Sequence, residues 1–284
     1  MKLIHLILAH DPAGLSQLER LVNQLNYKDS IIYIHVDLKS DLRTFKNHFN
    51  NNATVRFINN RVSIKWASYS MVEAELNSFQ QIVIEEPDFD FLNLLSSQDY
   101  PIRPVGEFHQ FLSNHIGKAF MHCLDIETEW VEAKQRFTKY HFVDHDFRGI
   151  YLLQDIVNSI MPERKVPSEL VIKGRSQWFT ISRKHIEYFL ETLKKNKAIV
   201  RFFKFTWSPD ELFFQTLLFN SPYQHDIVNN NLRYIDWSEK KKNPKVLTEV
   251  DFEAITQSGN FFARKFNLAA NSRILDLIDI QING

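Results

Sequence analysis

Leu3-Ile4-His5-Leu6-Ile7-Leu8-Ala9-His10-Asp11-Pro12 is an apolar run broken only by His5, closed by a dipeptide that can cap and start a helix. A strand that is apolar at successive positions, not alternate ones, is covered on both faces, as strands of parallel sheets are. The next residues supply a cover, because Leu15, Leu18, Leu21, Val22 and Leu25 share one face of a helix. The unit then recurs. Residues 31–36 form a second apolar run ending in His35-Val36-Asp37, followed by a helix over 41–49 and a short strand over 54–58. Residues 68–84 have helical spacing through Met71, Ala74, Leu76 and Phe79, and 91–95 is another strand, leading into Ser96-Ser97-Gln98-Asp99-Tyr100-Pro101. Repeated strand–helix units of this kind predict an α/β protein with a mainly parallel central sheet flanked by helices.

Beyond residue 100 the pattern loosens. Residues 127–167 are rich in charge, histidine and aromatics and read as an irregular insertion. A strand over 177–182, helices over 185–193 and 209–219, an extended segment over 232–237 and an amphipathic helix over 272–282 follow. The basic loop 240–245 reads as a solvated turn. With no internal repeat or low-complexity linker, the expectation is one domain over 1–284.

Composition sets further bounds. The 284 residues carry 34 Lys+Arg against 34 Asp+Glu, so there is no electrostatic footprint for nucleic acid. Only 7 are glycine, against 24 phenylalanine, and no two glycines make G-x-G or G-x-x-x-x-G-K. Phosphate-cradling glycine loops are thereby excluded, and any phosphate grip falls to side chains. The single cysteine, Cys123, excludes an internal disulfide and a cysteine zinc cluster, and its apolar neighbours suggest buried packing. No stretch approaches the ~20 apolar residues of a membrane span. The apolar start reads as a strand, not a signal peptide, which makes the cytoplasm the expected compartment.

In open α/β sheets ligands bind beyond the carboxyl ends of the strands, which points to His10-Asp11, Asp37 and Gln98-Asp99. Asp88-Phe89-Asp90 matches the D-x-D metal motif of many sugar-nucleotide transferases but precedes its strand and so falls at the opposite end. His141 and His145 have a spacing that would share a helix face, without the glutamate of a metalloprotease helix and inside the irregular insertion. In Thr206-Trp207-Ser208-Pro209-Asp210-Glu211, Ser208 suits an N-cap, Pro209 the first helical position and Glu211 the third, a capping box. Glu211 therefore has two readings: it caps its own helix, or it is an ionised carboxylate placed for general-base chemistry. Arg264 and Lys265, inside Phe261-Phe262-Ala263-Arg264-Lys265-Phe266, are either outward charges of an edge strand or cations aimed at an anion, and Arg233 has the same two readings. Trp66 and Trp178 are core residues or platforms for a base or sugar ring.

Several segments occur in a telling order: Ile34-His35-Val36-Asp37, Trp66-Ala67-Ser68, Ser97-Gln98-Asp99-Tyr100-Pro101-Ile102, Gly174-Arg175-Ser176-Gln177-Trp178-Phe179, Ser208-Pro209-Asp210-Glu211, Phe214-Gln215-Thr216, Asn220-Ser221-Pro222 and Phe261 to Phe266. The ordered set, spread over about 3–270, resembles the core-2/I-branching β-1,6-N-acetylglucosaminyltransferase and peptide O-xylosyltransferase family, and the last two segments look more like the xylosyltransferase branch. The resemblance implies a GT-A type, Rossmann-like glycosyltransferase fold, a UDP-sugar donor, inversion at the anomeric carbon and catalysis without a metal or other cofactor. It makes Glu211 the general base, Lys265 and Arg233 the partners of the donor diphosphate, and Asp37 and Trp66 neighbours of the uridine. Asp99, Trp178 and Trp207 are the candidates for the sugar and acceptor pocket.

An acceptor hydroxyl is a poor nucleophile, so Glu211 would remove its proton as it attacks, while the two cations stabilise charge growing on the departing UDP. Eukaryotic relatives carry a membrane anchor and several disulfides, so the one-cysteine chain resembles a bacterial member. That suits transfer of N-acetylglucosamine or xylose to a glycan, lipid-linked or protein acceptor in surface-polysaccharide synthesis, with peripheral association at the inner membrane face left open and oligomeric state unassigned. Two other readings stand beside it: a metal-dependent transferase using Asp88-Phe89-Asp90 or the 141–146 segment, and a catalytically silent glycan- or nucleotide-binding module.

Overall fold

The computed structural model describes residues 1–167 and 170–283. In chain order the elements are β1 (Leu3–Ala9), α1 (Leu15–Leu25), β2 (Ser30–Val36), α2 (Leu42–His48), β3 (Val55–Phe57), α3 (Tyr69–Glu85), β4 (Phe91–Ser96), β5 (Asp99–Pro101) and α4 (Val105–Ser113). Then follow β6 (Ala119–Asp125), α5 (Lys134–Thr138), α6 (Ile150–Ile160), β7 (Lys173–Ser182), α7 (Arg183–Lys195), α8 (Lys197–Phe203), α9 (Phe213–Phe219), β8 (Ile227–Asn229), β9 (Arg233–Ile235), α10 (Phe252–Gln257), β10 (Phe262–Arg264) and α11 (Arg273–Asn283). The chain forms two compact units: Met1–Ile58 with Asp88–Ile116 and Leu232–Gly284, and Asn59–Pro87 with Gly117–Asn231.

The first unit contains the repeated strands. Every residue of β1 is buried, and β1 pairs in parallel with β2 on one side and β4 on the other, with β3 parallel to β2 beyond. This is the mainly parallel α/β arrangement that the apolar strands predict. Asp11 accepts from the Ala13 amide and starts a short 3-10 turn, after which α1 buries Leu18, Leu21, Val22 and Leu25. His5, the one break in β1, is a core histidine: Asn93 Nδ2 on β4 donates to its Nδ1 at 3.2 Å. Burial, with smaller repulsion from His109 and Arg233, lowers it to about 3. A smaller sheet in this unit has the order β5-β10-β9. The segment containing Arg264 is thus a central strand, antiparallel to β5 and parallel to β9, and not the edge strand its outward charges suggest.

The second unit pairs β6 antiparallel with β7 and parallel with β8. Ser68 caps α3 by accepting from the Ser70 amide, and α3 buries Val72, Ala74, Phe79 and Ile82. The phenylalanine surplus is used here. Phe214 on α9 has ring neighbours Phe79, Phe179, Phe189 and Phe213 at 5.6, 5.4, 5.2 and 5.1 Å, all tilted or edge-on. Edge-to-face packing of this kind adds to the burial energy of each ring. The insertion over 127–167 is not structureless, since it holds α5 and α6, and α6 exposes Tyr151, Leu152, Ile156 and Ile160. Among the described residues no helix is long and apolar enough to cross a membrane.

Phe214 is fully buried at the middle of this ring cluster. Phe214→Ala is expected to lower stability by about 3–5 kcal/mol, read by chemical denaturation, because four packed neighbours cannot all collapse into the space.

Candidate active site

The strongest constellation lies in the second unit, around residues 208–211. The capping box read from Ser208 and Glu211 is not formed. Pro209–Glu211 is a single 3-10 turn, and Ser208 is left-handed, with φ +45° and no side-chain cap bond. The backbone explains the departure: the Ser208 amide donates to Ala67 O at 3.0 Å and the Trp207 amide to Arg136 O at 2.9 Å, which rotates Ser208 away from cap geometry. Ala67 is also left-handed, at φ +59°. Two segments far apart in sequence, Trp66-Ala67-Ser68 and Trp207-Ser208-Pro209, are in this way hooked together, and their indoles meet edge-on at 5.3 Å. Trp66 remains 57 % exposed, a ring face available to a ligand.

Released from capping, Glu211 pairs with Arg136 of α5, with 2.5 Å between Nη1 and Oε2. The Arg136 guanidinium lies over the Trp130 ring at 4.6 Å, which fixes its fork toward the carboxylate. Beneath the turn is Gly174 of β7. A Cβ there would fall 2.2 Å from Glu211 O and 2.7 Å from the Leu212 side chain, so only glycine lets the turn seat against the strand. Arg136 was not singled out from the sequence. It lies in the irregular insertion, where no periodicity marks it, and its contact with Trp130, six positions earlier, appears only in the fold. Trp178, by contrast, is 7 % exposed in β7, inside the core.

The remaining candidates belong to the first unit. Asp37 directly follows β2 and is 3 % exposed, accepting from the Lys39 amide at 2.8 Å with Lys39 Nζ at 3.5 Å. Asp99, at 0 % exposure, accepts from the Ser96 amide and hydroxyl, with Arg264 Nε at 3.4 Å. Asp37 thus lies just past the carboxyl end of parallel β2, and Asp99 lies three residues past that of parallel β4, as the first residue of β5. Arg233 is 4 % exposed, and its Nη2 donates to Asn93 Oδ1 at 2.5 Å and Leu94 O at 2.7 Å. Burial lowers it to about 10, opposed by Asp99 and assisted by Arg264. Lys265 is partly buried and lowered by burial and then by Arg264. It lines an open cleft with Lys240, Lys241 and Lys242. The basic loop read as a solvated turn therefore shares a wall with Lys265.

The two metal alternatives are placed as follows. Asp88 and Asp90 precede β4, where Lys2 engages both: Nζ with Asp88 at 2.7 Å and its amide with Asp90 at 2.8 Å. His141 and His145 are on no helix, so the shared face their spacing offered is absent. His141 instead contacts Gln135 O at 3.1 Å and packs on Trp207. Among the described residues, no three histidine, cysteine or acidic side chains gather to hold a metal. Cys123 is half-buried, not fully buried as its neighbours suggest.

Residues 6–258 match the Core-2/I-Branching enzyme family, and the chain belongs to it. Among curated relatives it is 29 % identical over 310 residues to xylosyltransferase 2 of Rattus norvegicus, covering 100 % of this chain and 34 % of that protein. It is 28 % identical over 307 residues to xylosyltransferase 1 of the same species, covering 100 % and 36 %. The chain thus spans about a third of the length of these relatives. Of solved structures, mouse xyloside xylosyltransferase 1 in its apo form aligns over 93 % of this chain and 97 % of that one at 10 % identity, with a TM-score of 0.46. The family is one of glycosyltransferases, and the mainly parallel α/β arrangement of β1 to β4 is the one the strand pattern predicts.

Gly174→Ala is expected to push the 209–211 turn off β7, at about 1–3 kcal/mol in stability. The displaced Glu211 should lose its pairing with Arg136 while the variant remains folded, as judged by circular dichroism beside a crystal structure of the variant.

Proposed function

We propose that the chain is an inverting glycosyltransferase that moves a sugar from a UDP-sugar to an acceptor hydroxyl without a metal ion. The observation that carries this reading is Glu211, held by Arg136 on a turn that Gly174 alone allows to seat, beside an exposed Trp66. A carboxylate with fixed orientation at a partly open surface is what deprotonation of a bound hydroxyl requires. Trp66 and Trp207 supply the apolar faces on which sugar rings or a base stack. Lys265 is the cation for the leaving diphosphate, and the lysines of the 240–242 loop enlarge the positive wall around it. Arg233, whose Nη2 donates to Asn93 and Leu94 O, acts as a buried positive charge of the same unit. The engagement of Asp88 and Asp90 by Lys2 supports a reaction that does not use them as metal ligands.

The relatives are named xylosyltransferases, which makes UDP-xylose the first donor to test and UDP-N-acetylglucosamine the second. The acceptor is a glycan, lipid-linked or protein hydroxyl, with surface-glycan synthesis in the cytoplasm as its setting.

Glu211→Gln is expected to lower kcat by about 100- to 10,000-fold with little change in KM, the range for a lost general base. Lys265→Ala should lower kcat by about 100- to 1,000-fold, as loss of one preorganised charge partner does. Transfer should persist in EDTA. Donor consumption and product formation, followed for each variant with and without chelator, check all three; full activity of Glu211→Gln, or abolition by EDTA, overturns the reading.

A further inference from the structure

Two more carboxyls are buried behind Glu211 in the second unit. Glu75, on α3, is 0 % exposed. Gln177 Nε2 donates to its Oε1 at 2.7 Å, and its Oε2 has no hydrogen-bond partner among the described residues. Asp210, adjacent to Glu211 in the turn that packs on α3, is 9 % exposed. The charged groups acting on Asp210 are Glu75 from α3, Arg136 from α5 and Glu211 in its own turn, while Gln177 of β7 is engaged by Glu75 and Gln215 of α9 donates to the Ser176 carbonyl. One arginine thus stands against three carboxyls, and its fork is committed to Glu211. Neighbouring carboxyls removed from water cannot all ionise; protons are retained by those with the least solvent and the fewest donors.

We propose that Glu75 and Asp210 are positioning residues that keep their protons in the resting enzyme, so that of the three carboxyls Glu211 alone carries charge and faces Arg136. This rests on the reading of Glu211 as the base. Burial first, and then Asp210, hold Glu75 well above the usual carboxylate range, against the Gln177 hydrogen bond. Burial first, and then the Glu211 charge, push Asp210 up to about 7, against its own backbone amide and Arg136. A second full charge beside Glu211 would compete for Arg136 and loosen the carboxylate from the orientation it needs. Withholding it until above neutrality keeps the pairing one to one.

The sign of the linkage follows. An aspartate near 3.9 in the unfolded chain and about 7 in the fold binds its proton more tightly when folded. Its contribution to stability is complete below about 3.9 and is lost as pH rises through about 7. The neutral isosteres Asp210→Asn and Glu75→Gln lack this loss. The difference in melting temperature, variant minus wild type, should therefore grow by several degrees between pH 4 and 7, levelling above 7 for Asp210→Asn. The pH profile of kcat/KM should show an inflection near 7 in wild type that Asp210→Asn lacks. Infrared spectra of the wild type at pH 6 should contain a protonated-carboxyl band that titrates away above neutrality, a readout independent of whether the variants fold. Flat melting differences for both variants, or disappearance of the band by pH 5, overturn the proposal. If Glu211→Gln retains activity while the melting differences and the band behave as stated, the base assignment fails and the buried pair stands.

Discussion

The seating of the Pro209–Glu211 turn on β7 at Gly174 is the contact from which the rest of the second unit's site follows. A backbone carbonyl lies where a Cβ would be, so the turn is as close to the strand as two main chains allow. That approach brings Trp207 and Ser208 alongside Ala67 and Arg136, where their amides find acceptors. The left-handed backbone at Ala67 and Ser208 is the compromise that makes both hydrogen bonds possible. Such positions cost roughly 1–3 kcal/mol and persist only where the surroundings over-determine them. Here the phenylalanine cluster on α9, immediately after the turn, supplies that rigidity.

Charge is treated differently in the two units. In the first, Arg233 and Arg264 are balanced against the buried Asp99, and neutral His5 joins the network through Asn93, which accepts from Arg233 and donates to the imidazole. In the second, two acids are buried with a single arginine near them. A basic group held in place by hydrogen bonds and acidic groups held with their protons are both ways to keep charge where chemistry needs it. A formal balance of zero over the whole chain conceals this local asymmetry.

Much of the scaffold was legible because its signals are local. The apolar runs of β1, β2 and β4, the Asp11 start and the face of α1 follow from patterns within a dozen residues. Short elements without periodicity, β5, β8 and α8, carry no such signal. At the site, Glu211 was visible through Pro209 and Asp210, but the local rule chose the wrong partner for it. Capping geometry is a contest between neighbouring atoms, and the Ala67 and Arg136 carbonyls, from two distant segments, won the contest for Ser208 and Trp207. Arg136 and Glu75 were missed for the same reason. A lone arginine in an insertion and a glutamate on an otherwise ordinary helix become distinctive only when folding brings them to residues some 75 and 135 positions away.

Cys123 has a use that its packing does not announce. The only thiol in the chain sits half-buried on β6, in a strand whose amide at that position donates to Asn229 Oδ1. Burial, against the attraction of Lys173, pushes it up to about 11, so it is almost wholly in the unreactive thiol form at neutral pH. Alkylation is then slow in the closed strand and fast once the β6 pairing opens and water reaches the sulfur. A single reactive centre per molecule makes its modification rate a clock for local opening of this sheet, readable by mass with nothing introduced into the protein.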